Sequence, residues 1–275
     1  MRLESNQNMI LWMKYKFIYF AVSAVFLIVG IFSLLKWGLN LGIDFTGGVV
    51  TEYQLINGEI KLEKYGVKSE EEISKIRENI KILGAKELRF EVVGPSIGPE
   101  LIKKTYYALG ISALLILFWV AIQFKSIKFG ISAILAMIHD SLILVGGFSL
   151  LGHFFNVEID FLFVTAVLTI LSFSVHDTIV VYDRIREKMK KYDPALGSDI
   201  TGIANSALTE TMVRSINNSF TIIFMLLSLV LMGGDTIRWF AVALLIGTIS
   251  GTYSSPFVAV PILVTWEELE KRFRK

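Results

Sequence analysis

The sequence predicts an integral membrane protein, mostly α-helical, with six transmembrane helices and one small extracytoplasmic α+β domain between helices 1 and 2. Three observations predict it. Hydrophobic residues fill 53% of the 275 positions and charged residues only 19%, far from the balance of a water-soluble domain. Six apolar windows are long enough to cross about 30 Å of hydrocarbon at about 1.5 Å rise per helical residue. Between the first two lies a polar stretch of about 70 residues, too long for a turn and enough for a small folded unit.

The windows run from Tyr15 to Leu35, Thr105 to Phe124, Ile127 to Leu151, Ile159 to Tyr182, Ser215 to Met232 and Ile237 to Val264. The first follows Arg2, Lys14 and Lys16, but its core exceeds a signal-peptide h-region and no A-x-A-like site follows, so it reads as a retained helix. Lys and Arg in short connections set orientation. They occur in the N-terminal tail, at Lys125 and Lys128, in the loop expected from Arg184 to Lys191, and at Lys271, Arg272, Arg274 and Lys275. With six spans all four groups lie on one side, which places both termini in the cytosol of a cell that keeps this chain in its cytoplasmic membrane. The expected organisation is therefore 1–36, cytosolic tail and first helix; 37–103, extracytoplasmic domain; 104–266, helices two to six; 267–275, a basic cytosolic tail.

In the polar stretch, "GGVVTEYQLINGEIKLEKY" alternates like a strand, passes Asn57-Gly58 as a hairpin signal, and alternates again. "SEEEISKIRENIKILGA" begins with Ser69 as an N-cap, spaces Ile73, Ile76, Ile80 and Leu83 as a helix does, and ends at Gly84. "KELRFEVVG" reads as a third strand. A helix on a small sheet accommodates all of this. The stretch offers no paired carboxylates on one face, no nucleophile near a His and no phosphate-binding loop, so it reads equally as a spacer.

Composition removes several classes of function. Cysteine is absent and three His are scattered, which argues against disulfides and zinc. No P-loop appears, so no nucleotide chemistry, cofactor or enzymatic activity is expected, and nothing points to nucleic acid.

Charges inside the apolar windows carry the functional signal. Asp140 lies roughly 20 Å along its span, beside His139, and Asp177 lies roughly 8 Å before the cytosolic edge of the next. Each charge costs about 2.5 to 3.5 kcal/mol at a helix centre and less near its ends. Ser174 shares a face with Asp177, while Thr211, Arg214, Asn217 and Asn218 form a polar stripe on the fifth span, so Asp177 and Arg214 are expected to be partners. Two readings stay open. One is a static salt bridge, with Asp140 hydrogen-bonding its neighbours. The other is a proton relay through Asp177, Arg214, Asp140 and His176, for which the membrane supplies about 2.3 kcal/mol per charge per 100 mV. His139 and His176 read more simply as helix-bonding groups, and His153 as a solvated loop residue. Gly146, Gly147, Gly247 and Gly251 suit close helix packing, Pro256 a kink, and the basic Arg184–Lys191 stretch contact with anionic lipid.

Four motifs then appear in one order: "GIDFTGG" (with Gly42, Asp44, Phe45, Gly47 and Gly48), "VGPSIGPEL" (with Gly94, Pro95 and Gly98), "HD" (His139 and Asp140) and "DTIVVYDRIRE" (with Asp177, Asp183 and Arg184). Together they resemble SecF of the SecD/SecF family, within the resistance-nodulation-division superfamily. The resemblance implies a SecD partner and work beside the SecYEG channel, often with YajC. It also implies use of the proton motive force, with outer domains that capture or release an unfolded preprotein. On it, Asp177 matches the family's intramembrane carboxylate and Arg214, within "TMVRSINNS", the Arg of the next helix. The family usually reads Ser-Ile-Asn-Asp where this chain reads Ser174-Val175-His176-Asp177, which sets an imidazole beside the carboxylate. Other expectations from the same charges are a solute transporter, disfavoured by the lack of an internal duplication, and a scaffold without proton coupling.

Overall fold

The structure is a computed structural model that describes residues 10–66, 68–94, 97–191 and 200–273. Among these, six helices are long and apolar enough to cross a membrane: Trp12–Trp37, Ile97–Phe124, Ile127–Phe155, Phe161–Lys191, Ile200–Met232 and Ile237–Phe273. The protein is a multi-pass membrane protein, mostly helical, with one small sheet. The chain divides into two compact units: Leu39–Gly110 with Glu158–Val164 forms an α+β unit, and the remaining helices form the membrane unit.

In the α+β unit a short helix, α2 (Ile43–Thr46), leads into β1 (Gly48–Gln54). Then follow β2 (Ile60–Tyr65), α3 (Glu70–Ile82) and β3 (Lys86–Val93). The sheet is antiparallel in the order β2-β1-β3, which puts β1, the most buried strand, in the centre. The hairpin forms at Asn57-Gly58, where Gly58 has φ +87° and donates its N–H to Leu55 at 2.9 Å. Ser69 caps α3 reciprocally with Glu72, an arrangement that satisfies two orphan N–H groups. Arg77 of α3 lies 4.0 Å over the Phe90 ring of β3 and bonds Glu87. On the sheet's other edge the Tyr53 and Tyr65 hydroxyls both donate to Glu63; the Glu63 carboxylate holds the Tyr65 phenol up at about 12.

The membrane unit is built from α1 (Lys16–Trp37), α4 (Ile97–Phe124), α5 (Ile127–Phe155), α6 (Phe161–Lys191), α7 (Ile200–Met232), α8 (Asp235–Ser254) and α9 (Val260–Phe273). The first turns of α4 and α6 belong to the α+β unit. Small residues set the contacts, because dispersion rather than hydrophobicity drives helix association in lipid. The buried residues of α1 are Ser23, Gly30 and Ser33, and a Cβ on Gly146 would sit 2.5 Å from the Gly30 Cα. Ser33 donates to Ser149 at 2.7 Å, and Ser149 to the Gly38 carbonyl at 2.6 Å. A Cβ on Gly247 of α8 would lie 2.3 Å from Ile170 of α6.

Three expectations are corrected. The Arg184–Lys191 stretch is the end of α6, not a loop, and α7 begins at Ile200 rather than at Ser215. Hydropathy sees only the lipid-facing length of a helix, and both helices continue as amphipathic segments. Ile203, Ala204, Ala207 and Leu208 bury the inner face of α7, while Glu210 accepts from Lys188 at 2.6 Å and from Arg184 at 2.5 Å. His153, likewise, is not a loop residue: it sits in α5 with its ring stacked on Trp37 at 4.1 Å. Pro256 introduces a π-helical turn, Ser255–Ala259, between α8 and α9. The buried Tyr182 hydroxyl donates to the Ala259 carbonyl at 3.1 Å. The residues Glu267–Phe273 continue α9, with Lys128 bonded to Glu267 at 2.8 Å and Lys16 to Glu268 at 2.5 Å.

Candidate functional site

Asp177 lies in α6 at 4% exposure and accepts one hydrogen bond, from Ser215 Oγ of α7 at 2.9 Å. The expected ion pair with Arg214 is not formed. Successive helical residues point about 100° apart, so the register that turns Ser215 toward Asp177 turns Arg214 away. Arg214 is exposed on α7, as are Asn217 and Asn218 of the same polar stripe. His176, next to Asp177, is also exposed for the same rotational reason.

Asp140 is differently housed. At 1% exposure, its Oδ2 accepts from Ser174 of α6 and from Ser254 of α8, both at 2.6 Å. Its Oδ1 accepts from Ser250 of α8 at 2.6 Å and faces His139 Nδ1 at 3.0 Å. Three helices thus meet on one carboxylate. Ser174, expected on the Asp177 face, is spent on Asp140 instead. Nothing in the sequence reading joined Ser250 and Ser254 to Asp140; their spacing of one helical turn in "GTISGTYSS", among glycines, is the signal that marks a polar face.

The two carboxylates therefore differ in solvation. Asp140 is ringed by donors, whereas Asp177 has one hydroxyl and no cation among the described residues. A buried carboxylate with few partners is the one for which gaining a proton relieves the most desolvation.

The glycine-rich motif gathers within the α+β unit. Gly42 N–H donates to the Ile159 carbonyl at 2.9 Å and Ile159 N–H to the Asn40 carbonyl at 2.8 Å, a short parallel bridge. Asp44 accepts from the Phe161 N–H at 2.8 Å and Asp160 from the Phe163 N–H at 2.9 Å, so both carboxylates cap the first turn of α6. Burial, with the Asp44 charge beside it, pushes the Asp160 carboxyl up. Phe45 is buried, and a Cβ on Gly98 would meet the Phe45 carbonyl oxygen at 2.1 Å. Gly47 and Gly48 have φ of +72° and +141°, and a Cβ on Gly48 would lie 2.5 Å from the Tyr65 carbonyl oxygen, so the turn into β1 requires glycine. Gly94 accepts from the Ile97 N–H at 3.2 Å, starting α4; Pro95 lies outside the described residues. Asp183 is exposed, and Arg184 pairs with Glu187 and Glu210 rather than joining the buried carboxylates.

Residues 72–269 match the family model of the protein export membrane protein SecD/SecF, C-terminal, and residues 32–55 match that of the SecD/SecF GG motif. The protein translocase subunit SecF of Thermobaculum terrenum is 39% identical, over 92% of this chain and 93% of its own. The protein translocase subunit SecDF of Bacillus subtilis is 33% identical over 94% of this chain but only 38% of its own length, the rest lying outside the match. The crystal structure of SecDF, a translocon-associated membrane protein from Thermus thermophilus, superposes with a TM-score of 0.83 at 29% identity, over 93% of this chain and 38% of that one. Matching family models over most of the chain, full-length relatives above 30% identity and a shared six-helix frame lead to one conclusion: the chain belongs to the SecF branch of the SecD/SecF family of protein-export membrane proteins.

Proposed function

We propose that this chain pairs with SecD and assists preprotein export through SecYEG, using the proton motive force through protonation of Asp177. The observation that carries the reading is a carboxylate at 4% exposure in a membrane helix with a single hydroxyl donor. Protonated, it rests there at little cost; ionised, it needs water or a cation. Arg214, on the exposed face of α7 with Asn217 and Asn218, supports a relay completed by a neighbouring membrane helix, since a polar stripe of this kind is costly against lipid. His176 and Asp140 complete the relay, His176 from the exposed flank of α6 and Asp140 by holding Ser174 one turn from Asp177. A relative in which SecD and SecF are one chain supports the SecD partner.

In this reading the protein resides in the cytoplasmic membrane with both termini cytosolic. The α+β unit lies outside, where it meets unfolded preprotein. The basic ends of α6 and α9 face anionic lipid headgroups. YajC is a further neighbour. The chain itself hydrolyses no nucleotide.

The test is export into membrane vesicles that contain the channel, the SecD partner and either wild type or Asp177→Asn, with and without a proton gradient. Gradient-stimulated export is expected in wild type and at least about tenfold less stimulation in Asp177→Asn at equal assembly, since a relay without its proton carrier loses its drive. Equal stimulation in both would leave Asp177 a packing residue and overturn the mechanism.

A further inference from the structure

Two buried polar atoms of the membrane unit, Ser23 Oγ of α1 and His139 Nε2 of α5, have no hydrogen-bond partner among the described residues, and both residues are 5% exposed. Inside a membrane neither can turn to bulk water, so each calls for a partner. Their positions coincide across one seam. Ser33 donates to Ser149, 116 residues on, at 2.7 Å, and Gly30 packs on Gly146 with the same separation. A constant difference means that α1 and α5 run parallel in one register, and that register sets Ser23 opposite His139.

Tyr253 of α8 fixes the same placement independently. Its hydroxyl donates to the Tyr19 carbonyl at 2.9 Å, one turn before Ser23, and its ring centroid lies 6.5 Å from that of His139. The same contact deprives Ser23 of its local acceptor. A helical serine commonly bonds the carbonyl four residues back. For Ser23 that is Tyr19, which already receives the Ser23 N–H along the helix and the Tyr253 hydroxyl from outside it. On the facing helix, His139 Nδ1 lies 3.0 Å from Asp140 Oδ1, and an imidazole that donates there presents a lone pair at Nε2.

We propose that one water molecule is bound in the seam between α1 and α5, accepting the Ser23 hydroxyl proton and donating to His139 Nε2. The two side chains do not bond each other directly, so a bridging molecule is what joins them. The second proton of the water goes to the Tyr253 oxygen, whose own proton is given to Tyr19 and which accepts from no other described group. Three partners lie within the range of about two to four that a buried water takes, and such a bridge is nearly as favourable as a direct bond. The lining selects water over a metal ion: no group of three or more His, Asp or Glu side chains able to hold a metal occurs among the described residues. The bridge adds α1 to the three helices that meet on Asp140, and it holds the imidazole in the tautomer that donates to that carboxylate. It does so whether or not Asp177 carries protons.

The test is magic-angle-spinning NMR of the full chain in lipid nanodiscs with isotopically labelled histidine, reading the transfer of magnetisation from water to the carbon-bound ring protons of His139. The signal is assigned by its loss in His139→Gln. Transfer is expected in wild type and in Asp177→Asn, and at least about threefold less in Ser23→Ala, which takes away one of the three partners. A dry His139 in wild type, the result if Ser23 swings round to bond Nε2 itself, would overturn the proposal, and that spectrum decides even if Ser23→Ala fails to fold. Undiminished transfer in a folded Ser23→Ala would overturn it as well, because the water would then be held by other groups. These spectra are recorded without a gradient or a partner, so failure of the export assay leaves them unchanged.

Discussion

At the scale of single residues, the two intramembrane aspartates illustrate how partners rather than depth assign roles. Asp140 is the deeper in sequence, yet its four donors make it a fixed joint; Asp177, with Ser215 alone, is the carboxylate free to change state. Asp140→Asn removes the charge that strengthens each serine bond and turns an amide donor toward hydroxyls already donating. We expect a loss of about 3 kcal/mol in unfolding free energy, measured by denaturant titration in detergent, against under about 1 kcal/mol for Asp177→Asn, which keeps an acceptor for Ser215. Comparable losses for the two variants would contradict the distinction. That both residues matter was legible in the sequence, because an Asp in an apolar run has few innocent explanations. Their partners were not: Ser174 sits on the expected face by spacing, but a helical wheel does not say which neighbouring helix arrives there.

At the scale of elements, glycine positions decide which helices can touch. A Cβ at Gly247 would collide with three atoms of Ile170, whereas one at Gly147 meets nothing nearer than Ile246 Cδ1 at 4.0 Å. Gly247→Val is therefore expected to destabilise by about 2 kcal/mol and to lower the thermal midpoint in detergent, while Gly147→Ala changes it little. The reverse order would mean that α6 and α8 are not in the contact described. Both glycines read as packing residues in the sequence, since small residues in spans commonly mark interfaces; only the register of α8 against α6 separates them. The polar extensions of α6 and α7 were misread for a related reason. Hydropathy reports the solvent a segment prefers, and a helix can outrun its membrane solvent when Arg184, Lys188 and Glu210 bond across to each other.

At the scale of the whole molecule, the membrane unit leaves α7 largely uncovered, as it leaves α4. Along α7 only a narrow face is buried, and Arg214, Asn217 and Asn218 point outward. A cysteine introduced at Asn217, in a chain that has none of its own, is expected to react readily with a membrane-permeant thiol reagent when this chain is expressed alone. Co-expression with SecD should reduce that rate at least about fivefold, since a polar stripe in lipid is stabilised by a protein neighbour. An unchanged rate would move the partner to another face. Length, apolar periodicity and turn residues by themselves determined six spans, a strand-hairpin-helix-strand unit and the motifs that mark the family, because each is encoded by neighbours along the chain. Only the tertiary structure decided that Ser215 rather than Arg214 meets Asp177, that Asp140 gathers three serines from two other helices, and that Asp44 caps α6. Those contacts join residues far apart in sequence, and a rotation of one residue, about 100° on a helix, changes which side chain makes them.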